Sequence, residues 1–393
     1  MKLLRLGTYL SFIISLLAGV WFSATEAAEV TWNSRVDARL KYDDNINFSS
    51  SYEEHDWIYE IRPELKWRRR TDQNDFSLSA QLLGQKFDTH SDLDTLDQYY
   101  RLKASSRVRP TVTLSFDGSY RKDTTQDSEL SEEGLRLWRD DRKEYRLNPS
   151  MHWQATERSS WEMALPFRKV NYEGDIGYGI YEYENEDHRE AGISLKYNYL
   201  LADDRTYVYV KPSFSNADFD DGETDSYNLM CGIDRAFSEK LNLRAGAGIY
   251  YSNIKDDIEG TSNETGFLVS VEAYGKLERG NWRAGYVKDV YPSGIGETVD
   301  RDRVTLKGMY RLSERMRLTG NASYTDVRSQ GDEDNEDYWT VDIRPGLVYR
   351  LTEHANIGIY YQHRFLDDQR VDRDTRRKLV WISLNFYSRL EDW

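Results

Sequence analysis

From about residue 30 to its end, the chain alternates apolar and polar residues with a period of two. Across residues 241–252, Leu241, Leu243, Ala245, Ala247, Ile249 and Tyr251 share one face, while Asn242, Arg244, Gly246, Gly248, Tyr250 and Ser252 share the other. Residues 267–277 and 378–387 repeat the pattern, the latter with Val380, Ile382, Leu384 and Phe386 in phase. This period marks strands with one apolar face. Charged residues such as Arg244 and Glu272 interrupt no run. Against lipid they are costly; against a wet lumen they are cheap. Reading every such run predicts about 18 strands, each with room for the ~9–11 residues that cross a bilayer.

The connections alternate between short and long. Short ones fall at 70–75, 109–111, 156–159, 202–205, 238–240, 278–280, 313–315 and 351–354. Long ones fall at 43–55, 125–141, 174–187, 218–224, 255–264, 292–300, 329–337 and 367–376. A soluble sandwich has no reason for such alternation, whereas a membrane barrel does. The fold class is therefore all-β: a closed antiparallel transmembrane β-barrel of about 18 strands, with short periplasmic turns and long acidic extracellular loops. An even strand number puts both termini on the periplasmic side. The segment Ile61–Trp67 is similar to Ile343–Tyr349 and to Leu147–Trp153, each entering a short turn with an aromatic on the apolar face. The prolines at 63, 149 and 345 predict a bulge or bend at each.

The N-terminus follows a different pattern. Lys2 and Arg5 precede a mostly apolar run over 10–22, followed by small residues with Thr25 at −3 and Ala27 at −1 of a cleavage site. Residues 1–27 are expected to be a signal peptide and 28–393 the barrel. Beyond it, no apolar run approaches the ~20 residues of a membrane helix.

Composition sharpens this picture. Mean hydropathy is −0.79, as polar as a disordered chain, yet aromatics make up 13% with 29 Tyr and 11 Trp. That content excludes disorder and suits a wall apolar on one face only. The net charge of −15 argues against nucleic acid as a partner. Cys231 is the single cysteine, so no internal disulfide forms; its place between Leu229 and Ile233 suits a small apolar wall residue. Six scattered histidines lack metal-ligand spacing and no G-x-S-x-G elbow occurs. No catalytic residue, metal or cofactor is expected. The acidic runs at 218–225 and 332–337 suit a solvated outer surface, with Ca²⁺ binding as the alternative.

Lumen-facing polar residues are the productive candidates. Tyr207, Tyr209 and Lys211 oppose Val208 and Val210, and Glu272, Tyr274 and Lys276 oppose Val271 and Ala273. These six are candidate saccharide contacts, with generic wetting of the lumen as the alternative. The loop carrying Asp367, Asp368, Arg370 and Arg373 is either a self-neutralising set of ion pairs or a gate.

The stretch Leu40-Lys41-Tyr42-Asp43-Asp44-Asn45-Ile46 resembles the opening common in putative β-barrel porins associated with exopolysaccharide gene clusters. The resemblance implies an outer-membrane pore of a Gram-negative cell. It would move a secreted polysaccharide, with saccharide as cargo and with outer-membrane lipid, the barrel-assembly machinery and periplasmic polysaccharide-export proteins as partners. Two other functions stay open: a general or substrate-selective diffusion porin, and a plugged barrel acting as adhesin or structural protein.

Overall fold

The computed structural model describes residues 28–125, 140–173, 187–220, 222–256, 260–292, 298–329, 337–369 and 373–388. Residues 1–27, expected to be a signal peptide, lie outside them. The described residues form β1 (Glu29–Asp43), β2 (Asp56–Arg70), β3 (Asn74–Phe87), β4 (Thr95–Arg109), β5 (Val112–Thr124), β6 (Asp141–Gln154), β7 (Ser159–Ala164), β8 (Phe167–Glu173), β9 (His188–Leu200) and β10 (Thr206–Asp218). They continue as β11 (Gly222–Ser238), β12 (Leu241–Asp256), β13 (Gly260–Leu277), β14 (Gly280–Pro292), β15 (Thr298–Arg311), β16 (Met316–Ser329), β17 (Asp337–Arg350), β18 (Ala355–Asp368) and β19 (Arg373–Tyr387). A 3₁₀ turn, Ser91–Leu93, lies between β3 and β4.

Each strand pairs antiparallel with its neighbours in sequence, except that β7 and β8 do not pair with each other, and β1 pairs with both β2 and β19. The sheet therefore closes on itself and leaves no edge. Closure is tight at the seam: the Ser388 amide donates to the Ser34 carbonyl at 2.9 Å. Segments β7 and β8 both pair with β6 on one side and β9 on the other. They are two halves of one stave, so the wall has eighteen staves. The break falls at Leu165-Pro166, opposite Asn148 and Pro149.

The in-strand prolines follow one rule. Pro63, Pro212 and Pro345 each open a two-residue gap in one ladder while pairing normally in the other. Pro149 does the same at the β7–β8 break. The expected bulges are absent, because register is identical on both sides of every gap. A proline removes one donor, whereas a one-residue slip would turn a whole strand inside out. Register shifts occur instead at Arg107/Arg109 and Ala236/Ser238, beside short turns.

Several connections expected to be long are short. Three residues join β10 to β11 and β12 to β13, and four join β18 to β19. The strands run on because their polar ends pair across the ladder. Asn216 Nδ2 donates to Glu223 Oε1 at 2.6 Å and Asp225 Oδ1 at 3.0 Å, and Lys255 Nζ lies 3.2 Å from Asp225. Part of the acidity assigned to loops is thus strand. The 125–141 and 174–187 connections fall mostly outside the described residues.

Candidate functional site

The two faces of the wall differ in chemistry. Outward positions carry Leu40, Ile61, Ile249, Phe267, Leu306, Ile359 and Ile382, all exposed. Aromatic contacts bound this belt. Near the short turns Trp67 touches Trp32 and Phe76, with centroids 6.1 and 5.2 Å apart. Near the other rim lie Tyr42–Trp57 and Trp339–Phe365, at 5.2 and 4.9 Å. Trp32 and Tyr42 are ten residues apart on β1; a rise of ~3.3 Å and a tilt of ~40° make that about 25 Å of height. Inward positions carry cross-strand ion pairs such as Arg244–Asp234 and Arg101–Asp117, both 2.6 Å. A closed wall, apolar outside over the height of a bilayer and charged inside, excludes a water-soluble barrel. The chain is an outer-membrane β-barrel.

One rim of the lumen is narrowed by the β1–β2 loop, residues 44–55. Tyr42-Asp43-Asp44-Asn45-Ile46 opens it. Asp43 and Asn45 are fully buried. Arg377 holds Asp43 through Nε at 2.8 Å. Asn45 Nδ2 donates to the carbonyls of Ser49 and Arg376 at 2.8 and 2.9 Å, and the Ser49 amide returns to Asn45 Oδ1 at 2.9 Å. Two apolar side chains then anchor the loop. Ile46 packs on Ile58, Phe87 and Leu93. Phe48, 1% exposed, packs on Val299, Val327, Tyr338 and Leu366, with Tyr291 beside them. Phe48 has φ of 49°, a left-handed conformation that costs a non-glycine residue about 1–2 kcal/mol. Burial of its ring holds it there.

Tyr291 extends the barrier. Its ring carries the Arg301 guanidinium at 4.2 Å and that of Arg168 at 5.1 Å. Arg168 is on β8 and Tyr291 on β14, six staves apart in a wall of eighteen, so the contact spans the lumen. Arg168 also joins a second cluster. Glu144 is surrounded by Arg168 and Arg146 at 2.7 Å, Arg142 at 3.3 Å and Arg121 at 3.7 Å.

Beneath the loop, the wall of β1–β3 and β17–β19 lines a cavity of about 350 Å³. Its cations are largely paired. Arg39 meets Asp37, Lys41 meets Glu60, Arg364 meets Asp342 and Arg377 meets Asp43. Arg35, Arg62 and Arg344 are left over. Arg35 donates to Asn385 Oδ1 at 2.8 Å and lies 3.5 Å from Asp37; Arg344 lies 4.0 Å from Asp342. Arg62 forms no ion pair among the described residues, and the Nε atoms of all three are buried without hydrogen-bond partners. Ile58, Phe87, Leu379 and the stacked pair Tyr360–Trp381, 5.1 Å apart, supply an apolar floor. Tyr360 lies flat over Gly346 and Gly358, where any Cβ would come within 2.5 Å of its ring.

The six candidate contacts stand elsewhere. By register, Tyr207, Tyr209, Lys211, Glu272, Tyr274 and Lys276 occupy inward positions of β10 and β13, opposite the arginine-lined wall. They do not form one site. Tyr209 is buried flat against Gly232 and Gly246, with Lys196 Nζ 4.7 Å above its ring. Glu272 accepts from Arg283 Nε at 2.8 Å. Tyr207 and Lys276 are exposed near the short-turn rim. Asp367 and Asp368 end β18 and Arg373 begins β19, in paired hairpin rather than a free loop; Arg370 lies outside the described residues. Among the described residues, the β1–β2 loop is the connection that packs inward, through Ile46 and Phe48. The sequence signal for it was the Asp43-Asp44-Asn45-Ile46 motif, which carried a resemblance and no assigned role.

No family model matches the chain, and no curated protein does. Solved structures similar to it are the outer membrane protein opdK from Pseudomonas aeruginosa (8% identity, 91% of this chain and 99% of that one, TM-score 0.47) and Acinetobacter baumannii OccAB4 (11%, 93% and 99%, 0.48). The outer membrane channel DcaP of Acinetobacter baumannii is another (11%, 93% and 99%, 0.45). The similarity is one of outline.

Proposed function

We propose that the protein is a passive, substrate-selective diffusion channel of the outer membrane, with short turns toward the periplasm. The carrying observation is the inward fold of residues 44–55. Eighteen staves enclose enough width for an aqueous path, and this loop with the Tyr291–Arg168 contact narrows it at one level. Below that level the wall is charged and polar. Such a path suits small solutes that exchange hydration for side-chain contacts. Polysaccharide export, implied by the Leu40–Ile46 stretch, would require a polymer to displace that same stretch, because Asn45 and Ile46 are part of the narrowing. The small-solute reading is therefore preferred.

The test is planar-bilayer conductance of the purified full-length barrel, with liposome swelling in sugars of increasing size. Discrete conductance steps and swelling that falls off beyond small solutes are expected. Failure to conduct above bare lipid would refute the channel. Undiminished passage of long oligosaccharides would return the assignment to polymer export.

A further inference from the structure

We propose that the cavity beneath the 44–55 loop is a binding site for a small organic carboxylate, with Arg62 and Arg344 as its receptors. This rests on the channel reading and names its substrate class.

The argument is one of charge and donors. Seven cations line the cavity: Arg35, Arg39, Lys41, Arg62, Arg344, Arg364 and Arg377. Their carboxylate partners are Asp37, Glu60, Asp342 and Asp43. Seven against four leaves three positive charges on one patch of wall, in a chain whose net charge is −15. Uncompensated charge in a confined space is expensive unless a counter-charge enters. The surplus is also directional. Arg62 has no ion pair among the described residues, and its Nε and that of Arg344 are buried donors without acceptors. Guanidinium forks of this kind match a planar carboxylate bidentately.

The cavity sets the body of the ligand. About 350 Å³ is at the small end of ligand pockets and admits a single ring with substituents. Ile58, Phe87, Leu379 and Trp381 take its apolar face. Asn385, Ser383 and Gln362 add polar lining that the wall itself orients, with Arg35 donating to Asn385, Asn385 to Ser383 and Gln362 to Asp342.

The test is calorimetric titration of the folded full-length barrel in detergent, with glucuronate, glucose and glucose 6-phosphate as probes. Glucuronate is expected to bind saturably, and glucose not at the same concentrations. R62Q should weaken glucuronate by about tenfold or more, R344Q likewise, and K307Q, on the inner wall at β15, should have no effect. Heat-modifiable gel mobility reports whether each variant is folded. Equal binding of glucose and glucuronate, or full affinity in both arginine variants, would overturn the proposal. Binding of glucose 6-phosphate alone would overturn the carboxylate class in favour of phosphate. Because the readout is binding and not conductance, its failure is separable from failure of the channel reading.

Discussion

Replacing Phe48 by alanine should unseat the loop that narrows the lumen. The ring is 1% exposed and touches Val299, Val327, Tyr338 and Leu366. Removing a buried phenylalanine costs about 3–5 kcal/mol. The barrel does not share this loss, because no ladder hydrogen bond depends on the side chain. It falls on the equilibrium between the loop seated in the lumen and the loop outside it. The left-handed backbone at φ 49° adds to the penalty, since alanine retains about 1–2 kcal/mol of strain with no buried ring to offset it. A loss of ~3 kcal/mol shifts a two-state population by roughly a hundredfold. The Asn45 bonds and Ile46 remain, so the released state should be populated intermittently. Single-channel recordings of F48A are expected to show added transitions to a larger conductance, and amides of residues 44–55 should exchange faster with solvent. The barrel's heat-modifiable mobility should not change. Wild-type conductance together with wild-type exchange in a folded F48A barrel would refute the reasoning.

Other outcomes follow from single contacts. At Gly246 a Cβ would lie 2.3 Å from the Tyr209 hydroxyl, so G246V should destabilise the barrel by about 1–3 kcal/mol; urea unfolding of G246V and of G246V/Y209A tests this, and no recovery in the double variant would remove Tyr209 as the cause. Glu144 faces four guanidinium groups, so E144Q should cost about 3–5 kcal/mol and raise anion over cation selectivity; unchanged reversal potentials in a salt gradient would contradict it. His90, in the β3–β4 loop, lies 2.9 Å from Asp56 through Nδ1, and the hydrogen bond to that carboxylate raises its pKa above 6.5. A raised pKa means the contact contributes fully below 6.5 and fades as pH climbs through the folded value. NMR titration should place His90 above 6.5 and D56N should bring it back; titration at or below 6.5 in wild type would sink the assignment.

The strands were legible because a wall with lipid on one side and water on the other imposes period two on every segment. Inward positions of Arg244, Glu272 and Tyr209 follow from their own neighbours in sequence. Ladder continuity through Pro63 and Pro345 was not legible, since it depends on the adjoining strand holding register. The split at Leu165-Pro166 escaped for the complementary reason: it is set jointly with Pro149 on the facing strand. Tyr209 shows a further limit. Its ring reads as a lumen contact from alternation alone, yet Gly232 and Gly246, on two other strands, let it lie flat and bury itself.

The arginine-lined cavity is the most non-local feature of the molecule, and its location follows from closure. Arg35, Arg39, Lys41 and Arg62 come from the first two strands, and Arg344, Arg364 and Arg377 from the last three. The register Lys41↔Trp381 and Asp43↔Leu379 brings the two sets together. Within the N-terminal strands, Arg39 and Lys41 find Asp37 and Glu60; within the C-terminal strands, Arg364 finds Asp342. Of the cavity's cations, Arg377 is the one paired across the seam among the described residues, to Asp43, and that pair also fixes the base of the 44–55 loop. Each half therefore brings its own excess, one cation from the N-terminal strands and two from the C-terminal strands, and closure gathers them on one patch. Confinement by the wall and the loop holds that surplus at one level of the lumen, with less screening than an open surface would give. A diffusing anion would meet this surplus just inside the narrowing. Selectivity by charge and selectivity by size would then act on the same solute at nearly the same depth, and loosening the loop through F48A should weaken both together.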